Sequence, residues 1–260
     1  MSEYGVFAQY YDALTQNVCY DARAEQLDAL ITKHLRPDMP EHILLDLACG
    51  TGSLSEAFAR RGWDVIGADS SEEMLSEALD KKYDSGLPVQ YLKQDMRRLD
   101  LYGTIAVTVC ALDSLNHLQS PDDLRETFSR VNLFSEAGAL FLFDVNTAYK
   151  HRQVLRDNCF VYEPDGAYIV WQNALDDTAP HYPVTIRLDF FEHLTDNKYR
   201  RFTEEFTERI WDDALLRGLL AETGFTVLEV LDGDTFSAPD DTSQRLLYVT
   251  KAAGGQRIGC

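Results

Sequence analysis

One stretch constrains the fold more than any other: "HILLDLACGTGSLSEAFARRGWDVIGAD", His42 to Asp69. A greasy segment runs into a glycine turn, then into a helix-like segment closed by Gly62. A second greasy segment follows and ends in an acid. "HILLDLA" and "WDVIGAD" are almost continuously apolar, as strands buried on both faces are. Two such strands joined through a helix imply a right-handed crossover and a parallel sheet. The alternation continues along the chain. "SEEMLSEALDKKYDSG" reads as a helix and "VQYLKQD" as a strand; "TIAVTVCAL" reads as a strand, "SPDDLRETFSRVNLFSEAG" as a helix and "ALFLFDVN" as a strand. The predicted fold class is therefore α/β, with a doubly wound, mostly parallel sheet.

Two helices are expected ahead of this unit. One runs over Tyr4–Leu14, the other over Asp21–Leu35, with Asp21 as N-cap and Pro37 as the stop. The pattern changes after Thr147. "AYIVWQNAL", "VTIRLDFFEHL" and "RRFTEEFTERIW" alternate with period two, and hairpin turns are expected near "EPDG" and "TDNK". A helix over Asp213–Thr223 and closing strands "FTVLEVLD" and "RLLYVTK" follow. The expected division is a main unit over 1–150 and 207–251. An antiparallel insertion over 151–206 is expected to roof a substrate pocket. The tail "KAAGGQRIGC" reads as frayed.

Charge and cysteine usage narrow the partners. With 24 basic and 43 acidic residues the formal charge is −19. A phosphate backbone or an anionic membrane calls for the opposite sign, so neither is expected as a partner. No apolar run is long enough to span a bilayer. The start "MSEYGVFAQYYDALT" places acids and tyrosines where a signal peptide has a basic start and an apolar core. Five scattered cysteines form no CxxC pair, which suits a reducing compartment. A cytoplasmic location is expected, and a monomer or homodimer. No metal is expected, since acids and histidines do not stand at ligand spacing on one element.

The glycine turn points to a nucleoside. Ligands of doubly wound sheets sit at the carboxyl ends of the strands. Gly50 and Gly52 let backbone approach a ligand there, and the helix beginning at about Ser53 aims its free N–H groups at the same place. Asp69, 19 residues after Gly50, is placed to take two ribose hydroxyls. The dinucleotide fingerprint needs glycine or alanine at position 55, where this chain has Ser55. Asp46, just before the turn, suits a cationic group better than a pyrophosphate.

"LLDLACGTG" followed by "VIGADSSEEML" resembles the cofactor site of the class I S-adenosylmethionine-dependent methyltransferases. "LKQDM" and "CALDSLNHL" fall where that family has its third-strand acid and its substrate-facing loop. "FAQYYDALT" is similar to the N-terminal helix of a bacterial small-molecule subgroup with a late antiparallel insertion. The resemblance implies a Rossmann-like seven-stranded sheet, S-adenosylmethionine as cofactor, and a small-molecule acceptor methylated on nitrogen or oxygen. It implies that Asp46 and the Gly50 backbone hold the methionine part, with Ala48 and Gly52 also among the cofactor-binding residues. Asp69 would take the ribose, Ser70 and Met74 would flank the adenine, and Asp95 and the Met96 N–H would pair with its edge. Ala111 and Leu112 would approach the methionine end, and Tyr11 would cover it.

His117 is the candidate general base, with Asp113 and Asn116 as orienters. Arg187, Glu192, His193, Tyr149 and Trp171 are further pocket candidates. Period-two alternation puts Arg187 and His193 on one face and Glu192 on the other. Two other functions stay open: a nicotinamide-dependent oxidoreductase and a non-catalytic adenosylmethionine-binding protein.

Overall fold

The computed structural model describes residues 7–39, 42–196 and 198–254. The first crossover consists of β1 (Ile43–Leu47), α3 (Ser53–Arg60) and β2 (Asp64–Asp69). It continues through α4 (Glu72–Ser85), β3 (Gln90–Lys93), β4 (Ile105–Cys110), α5 (Pro121–Phe134) and β5 (Ser135–Asn146). Helix α6 (Asp213–Glu222) precedes β10 (Phe225–Asp232) and β11 (Arg245–Ala252). These strands make a seven-stranded sheet in the order β10-β11-β5-β4-β1-β2-β3. All neighbours are parallel except that β11 runs antiparallel to both β5 and β10. The order reverses between β1 and β4, so their carboxyl ends diverge there and open a crevice.

Period-two alternation sends successive side chains to opposite faces. Leu45 and Leu47 pack with Phe128, Phe141, Phe143 and Tyr248 under α5 and α6. Leu44 packs on the other face with Phe58, Val107, Leu140 and Leu142, under α3 and helix α2 (Tyr20–His34). Covering both faces removes the apolar strands from water, which is what their uniform hydrophobicity requires.

The second sheet is antiparallel throughout, in the order β6 (Cys159–Tyr162), β7 (Ala167–Leu175), β8 (Val184–His193) and β9 (Tyr199–Glu208). It follows a π-helical turn over Lys150–Leu155 at the end of β5. Helix α1 (Phe7–Leu14) links the two sheets; the expected start of this helix at Tyr4 lies outside the described residues. Phe7 packs among Phe190 and Phe206, and Tyr10 stacks on Phe190 at 5.8 Å. On the opposite side Asp12 Oδ1 accepts from Thr51 Oγ1 at 2.7 Å and Ser53 Oγ at 3.3 Å, and pairs with Lys81.

Two local expectations are corrected. Helix α2 starts at Tyr20 behind a left-handed Cys19, so Asp21 lies inside the first turn and does not cap. There it favours the helix dipole and pairs with Arg60 at 2.9 Å. Helix α5 ends at Phe134, and "SEAG" belongs to β5. Ser135 turns extended (ψ 135°) and donates back to Val131 O. The register to β4 then slips between Ile105 and Val107, absorbing the extra residues. Among the described residues no helix is long and apolar enough to cross a membrane.

Candidate active site

The glycine turn is shaped by its dihedral angles. Gly50 (φ 54°) and Gly52 (φ 75°) are left-handed. At Gly52 a Cβ would also lie 2.2 Å from the Tyr91 hydroxyl, so space and backbone both demand glycine. At Gly50 a Cβ would meet nothing within 4 Å, which leaves open room beside the turn. Asp69, at the end of β2, fastens the turn to the next helix. Its Oδ2 accepts the Gly50 N–H and its Oδ1 the Ser71 N–H, both at 2.8 Å. Burial pushes the Asp69 carboxyl above the usual range, against these N–H bonds. Each oxygen still has a lone pair for a further donor.

Asp46 is buried under the turn and accepts from Ser55 Oγ at 2.5 Å. Burial raises its pKa to about 7; the bond from Ser55 opposes this and the Asp69 charge adds to it. A carboxyl raised on folding holds its proton more tightly in the native state. Its contribution is complete below the unfolded carboxylate range, and is lost as pH rises through about 7. Asp46→Asn is therefore expected to gain stability on the wild type by about 3–4 kcal/mol between pH 4 and pH 8. Urea unfolding at the two pH values measures it, and an unchanged difference would refute the buried protonated carboxyl.

A cavity of about 480 Å³ opens at the carboxyl ends of the strands. Ala48, Asp69, Ser70, Asp95, Met96, Ser114 and His117 line it on the sheet side, and Glu205, Phe206 and Thr207 of β9 on the other. Asp95 has two jobs there. It accepts the Arg97 N–H at 2.9 Å and is clasped by the Arg97 guanidinium (Nη2 to Oδ2, 2.6 Å), which holds its carboxyl below the usual range. It thus caps the turn over Met96–Arg98 while lining the cavity.

The other candidates are held by contacts and bonds of their own. Met74 is packed among α1 and the second sheet. Tyr11 lies edge-on to Phe7 at 5.3 Å and packs in the same cluster. Asn116 is a brace: its amide donates to Arg209 O at 2.7 Å and accepts from Asn146 N–H at 3.0 Å. Arg187 bonds Asp189, Glu192 pairs with Arg200, and His193 lies against Tyr199; none of the three lines the cavity. Trp171 donates to Asn173 Oδ1 at 2.9 Å. Tyr149 precedes the π-helical turn.

The loop after β4 carries the rest of the chemistry. Leu112 (φ 57°) and Asp113 (φ 56°) are both left-handed. Their N–H groups are held by Asp144 of β5, at 3.0 and 2.7 Å. Asp144 also accepts from Arg23 (2.7 Å) and Arg245 (2.5 Å), and Arg245 reaches Asp113 at 2.6 Å. Burial would raise the Asp144 carboxyl, but the Arg245 and Arg23 charges hold it below the usual range. Arg245 and Lys150 likewise outweigh burial at Asp113 and lower its carboxyl.

Beside these groups lies Glu208, the last residue of β9, accepting from Asn146 Nδ2 at 3.2 Å. Burial, and next the Asp113 charge, raise the pKa of Glu208 to about 8. Sequence reasoning passed over Arg23, Asp144, Glu208, Arg245 and His151. The one available signal was Asp144, a lone acid inside the apolar run "ALFLFDVN". The fold also brings Asp113, His117 and Glu208 together, one donor atom from each within 4.8 Å of the others. A search for ligand spacing on single elements could not have found this group.

Comparison with known proteins completes the picture. Residues 44–134 match the model of a family described as "Methyltransferase domain". A methyltransferase by name from Geobacillus sp. (strain WCH70) is 32% identical over 248 residues, which is 95% of this chain and 99% of the relative. YqeM of Bacillus subtilis (strain 168), also named as a methyltransferase, is 32% identical over 94% of this chain and 95% of its own length. The crystal structure of an S-adenosylmethionine-dependent methyltransferase from Clostridium acetobutylicum ATCC 824 superposes with a TM-score of 0.83. It is 30% identical and covers 97% of this chain and 100% of its own. With similarity of this extent on the same seven-stranded sheet, the chain belongs to the class I S-adenosylmethionine-dependent methyltransferases.

Proposed function

We propose that the 480 Å³ cavity is the adenosylmethionine site and that the chain methylates a nitrogen or oxygen of a small molecule. The observation that carries this reading is the position of Asp69, clamping the glycine turn at the mouth of the cavity with acceptor capacity to spare. The residues fit the cofactor. Asp69 would bind the ribose hydroxyls, and Asp95 with the Met96 N–H the adenine edge. Ser70 would flank the ring, and the Gly50, Ala111 and Leu112 backbone would border the methionine part. Bound adenosylmethionine supplies a methyl carbon already activated by its sulfonium. What is left to the protein is alignment and exclusion of water.

The proposed acceptor side lies under residues 151–206, carried as an insertion in a unit of 1–150 and 207–251. The enclosing wall of β9 supports a small acceptor over a macromolecule. A nicotinamide reading is disfavoured, because Ser55 fills the third glycine position and spends its hydroxyl on Asp46. Calorimetric titration with S-adenosylmethionine, S-adenosylhomocysteine and NADH is the direct test. Binding of both adenosyl compounds and not NADH is expected; NADH binding alone would overturn the assignment.

Helix α1 is assigned the role of a clasp over this site. Asp12→Ala removes its bonds to Thr51 and Ser53 and its pair with Lys81. Asp12 is partly exposed, so roughly 1 kcal/mol is expected, or about a fivefold loss of adenosylhomocysteine affinity. Amide exchange over 7–14 should quicken while β1 and β4 stay protected. Unaltered exchange in α1 would show that the clasp is held by its aromatic contacts alone.

A further inference from the structure

Asp95 follows β3 by two residues and lines the cavity beside Met96 and Arg97. Capping the turn over Met96–Arg98 needs one bond, from the Arg97 backbone N–H to Asp95 Oδ1 at 2.9 Å. The Arg97 side chain adds a second grip that the turn does not require. Its Nε donates to Oδ1 at 2.9 Å and to Oδ2 at 3.1 Å, and its Nη2 donates to Oδ2 at 2.6 Å. The guanidinium is itself held from behind. Nη1 donates to Asp123 Oδ1 at 3.2 Å, while Asp123 Oδ2 accepts the Gln119 N–H at 3.2 Å and Ser120 Oγ at 3.0 Å. The Arg97 side chain is 45% exposed, where an ion pair adds little stability and fixing a long side chain costs entropy. Stability alone is a poor reason for so complete a clasp.

A carboxylate has about four acceptor sites. The Arg97 N–H and Nε occupy both of those on Oδ1, and Nη2 occupies one on Oδ2. One is left, on Oδ2, in a plane that the planar guanidinium fork fixes. The same fork holds the carboxyl below its usual range, so it stays ionised, accepts a hydrogen bond and cannot donate one. Such a slot takes a single N–H and repels a carbonyl oxygen. Released from the fork, the carboxyl could turn about its Cβ–Cγ bond or take up a proton, and would then serve either group.

Purines with an amino group and with an oxygen at carbon 6 differ in this respect. The first offers an N–H beside a ring nitrogen that accepts; the second offers an oxygen beside a ring N–H. We propose that Arg97 is a positioning residue that makes the site select a 6-aminopurine over a 6-oxopurine, by fixing Asp95 as an acceptor for one N–H. The proposal rests on the reading of the cavity as the cofactor site. Arg97 acts through Asp95 and not by contact with the base. The Met96 N–H, assigned to the neighbouring ring nitrogen, adds discrimination that does not depend on Arg97.

The test is calorimetric titration of the full chain with S-adenosylhomocysteine and its 6-oxo analogue, S-inosylhomocysteine. The wild type is expected to bind the adenosyl compound at least about a hundredfold more tightly. Arg97→Met, which keeps an apolar stem without charge or fork, should lower that ratio at least about tenfold, chiefly by weakening the adenosyl compound. Arg97→Lys, which keeps the charge without the fork, should lower it nearly as far. A merely structural role would weaken both compounds alike and leave the ratio where it was. An unchanged ratio in Arg97→Met therefore overturns the proposal, and so does full selectivity in Arg97→Lys. A loss confined to the inosyl compound overturns it as well, by placing a spare Arg97 N–H on the base. Failure of the wild type to bind S-adenosylhomocysteine at all would strike the reading of the cavity, and the proposal with it.

Discussion

Asp69→Ala is expected to weaken S-adenosylhomocysteine binding by at least about a hundredfold. In the free protein its two oxygens each hold one backbone N–H, of Gly50 and of Ser71. The remaining lone pairs are assigned to the two ribose hydroxyls. Hydrogen bonds to a charged group contribute about 1.5–3 kcal/mol each, so losing two costs roughly 3 kcal/mol or more. The variant also frees the glycine turn from the start of α4, so the site is no longer pre-shaped for the ligand. Calorimetry on both proteins at one pH reads the effect directly. Asp69→Asn, which keeps the shape but exchanges an acceptor for a donor, should fall between the two. Wild-type affinity in Asp69→Ala would remove the ribose assignment and with it the main support for the cavity as cofactor site.

Asp144→Ala is expected to cost about 3–5 kcal/mol of folding stability, because it leaves Arg23 and Arg245 buried with a carboxylate partner gone. For a chain of this size that is a fall in melting temperature of about 10 °C. The Leu112 and Asp113 N–H groups lose their acceptor as well, so the left-handed loop should loosen. The pH dependence has a definite sign. The Asp144 carboxyl is held below its usual range on folding, so its contribution is present at neutral pH and is lost as pH falls through the carboxylate range. The penalty of the variant should therefore shrink on acidification. Thermal unfolding at pH 7 and at about pH 2.5 measures both numbers, because the contribution is lost only below the ordinary carboxylate value of 3.8. A loss under 1 kcal/mol at neutral pH would show that the arginines find other partners.

How much of this was legible depends on the range of the interaction. The β1–turn–α3–β2 unit could be read because its parts are neighbours in the chain and their periodicity and glycines are local signals. The antiparallel strands of the second sheet were visible for the same reason, and "AYIVWQNAL" coincides with β7. Local signals fail where two elements compete for the same residues. "SEAG" continues a helical pattern, yet pairing with β4 draws Ser135 into a strand. Cys19 in a left-handed conformation moves the start of α2 ahead of Asp21, and no side-chain preference announces that.

The side chains around the cavity divide along the same line. That Asp69 ends β2 and Asp95 follows β3 by two residues, both at the sheet's carboxyl edge, was available from the strand pattern alone, since a doubly wound sheet delivers every such residue to one rim. Which way Met74, Tyr11 and Asn116 turn was not. Met74 and Tyr11 are claimed by contacts with a helix and a sheet distant in the chain, and Asn116 by the backbone of residues 146 and 209. The sequence by itself determined the alternation of elements, the glycine turn and the acids that follow it, because these rest on backbone sterics and short-range periodicity. Only the tertiary structure decided that Arg23, Asp144 and Arg245 form one buried charge network and that Glu208 meets Asp113 and His117. Charges separated by 100 residues or so attract only once burial has removed the water between them, and no local pattern records which of them will be buried together.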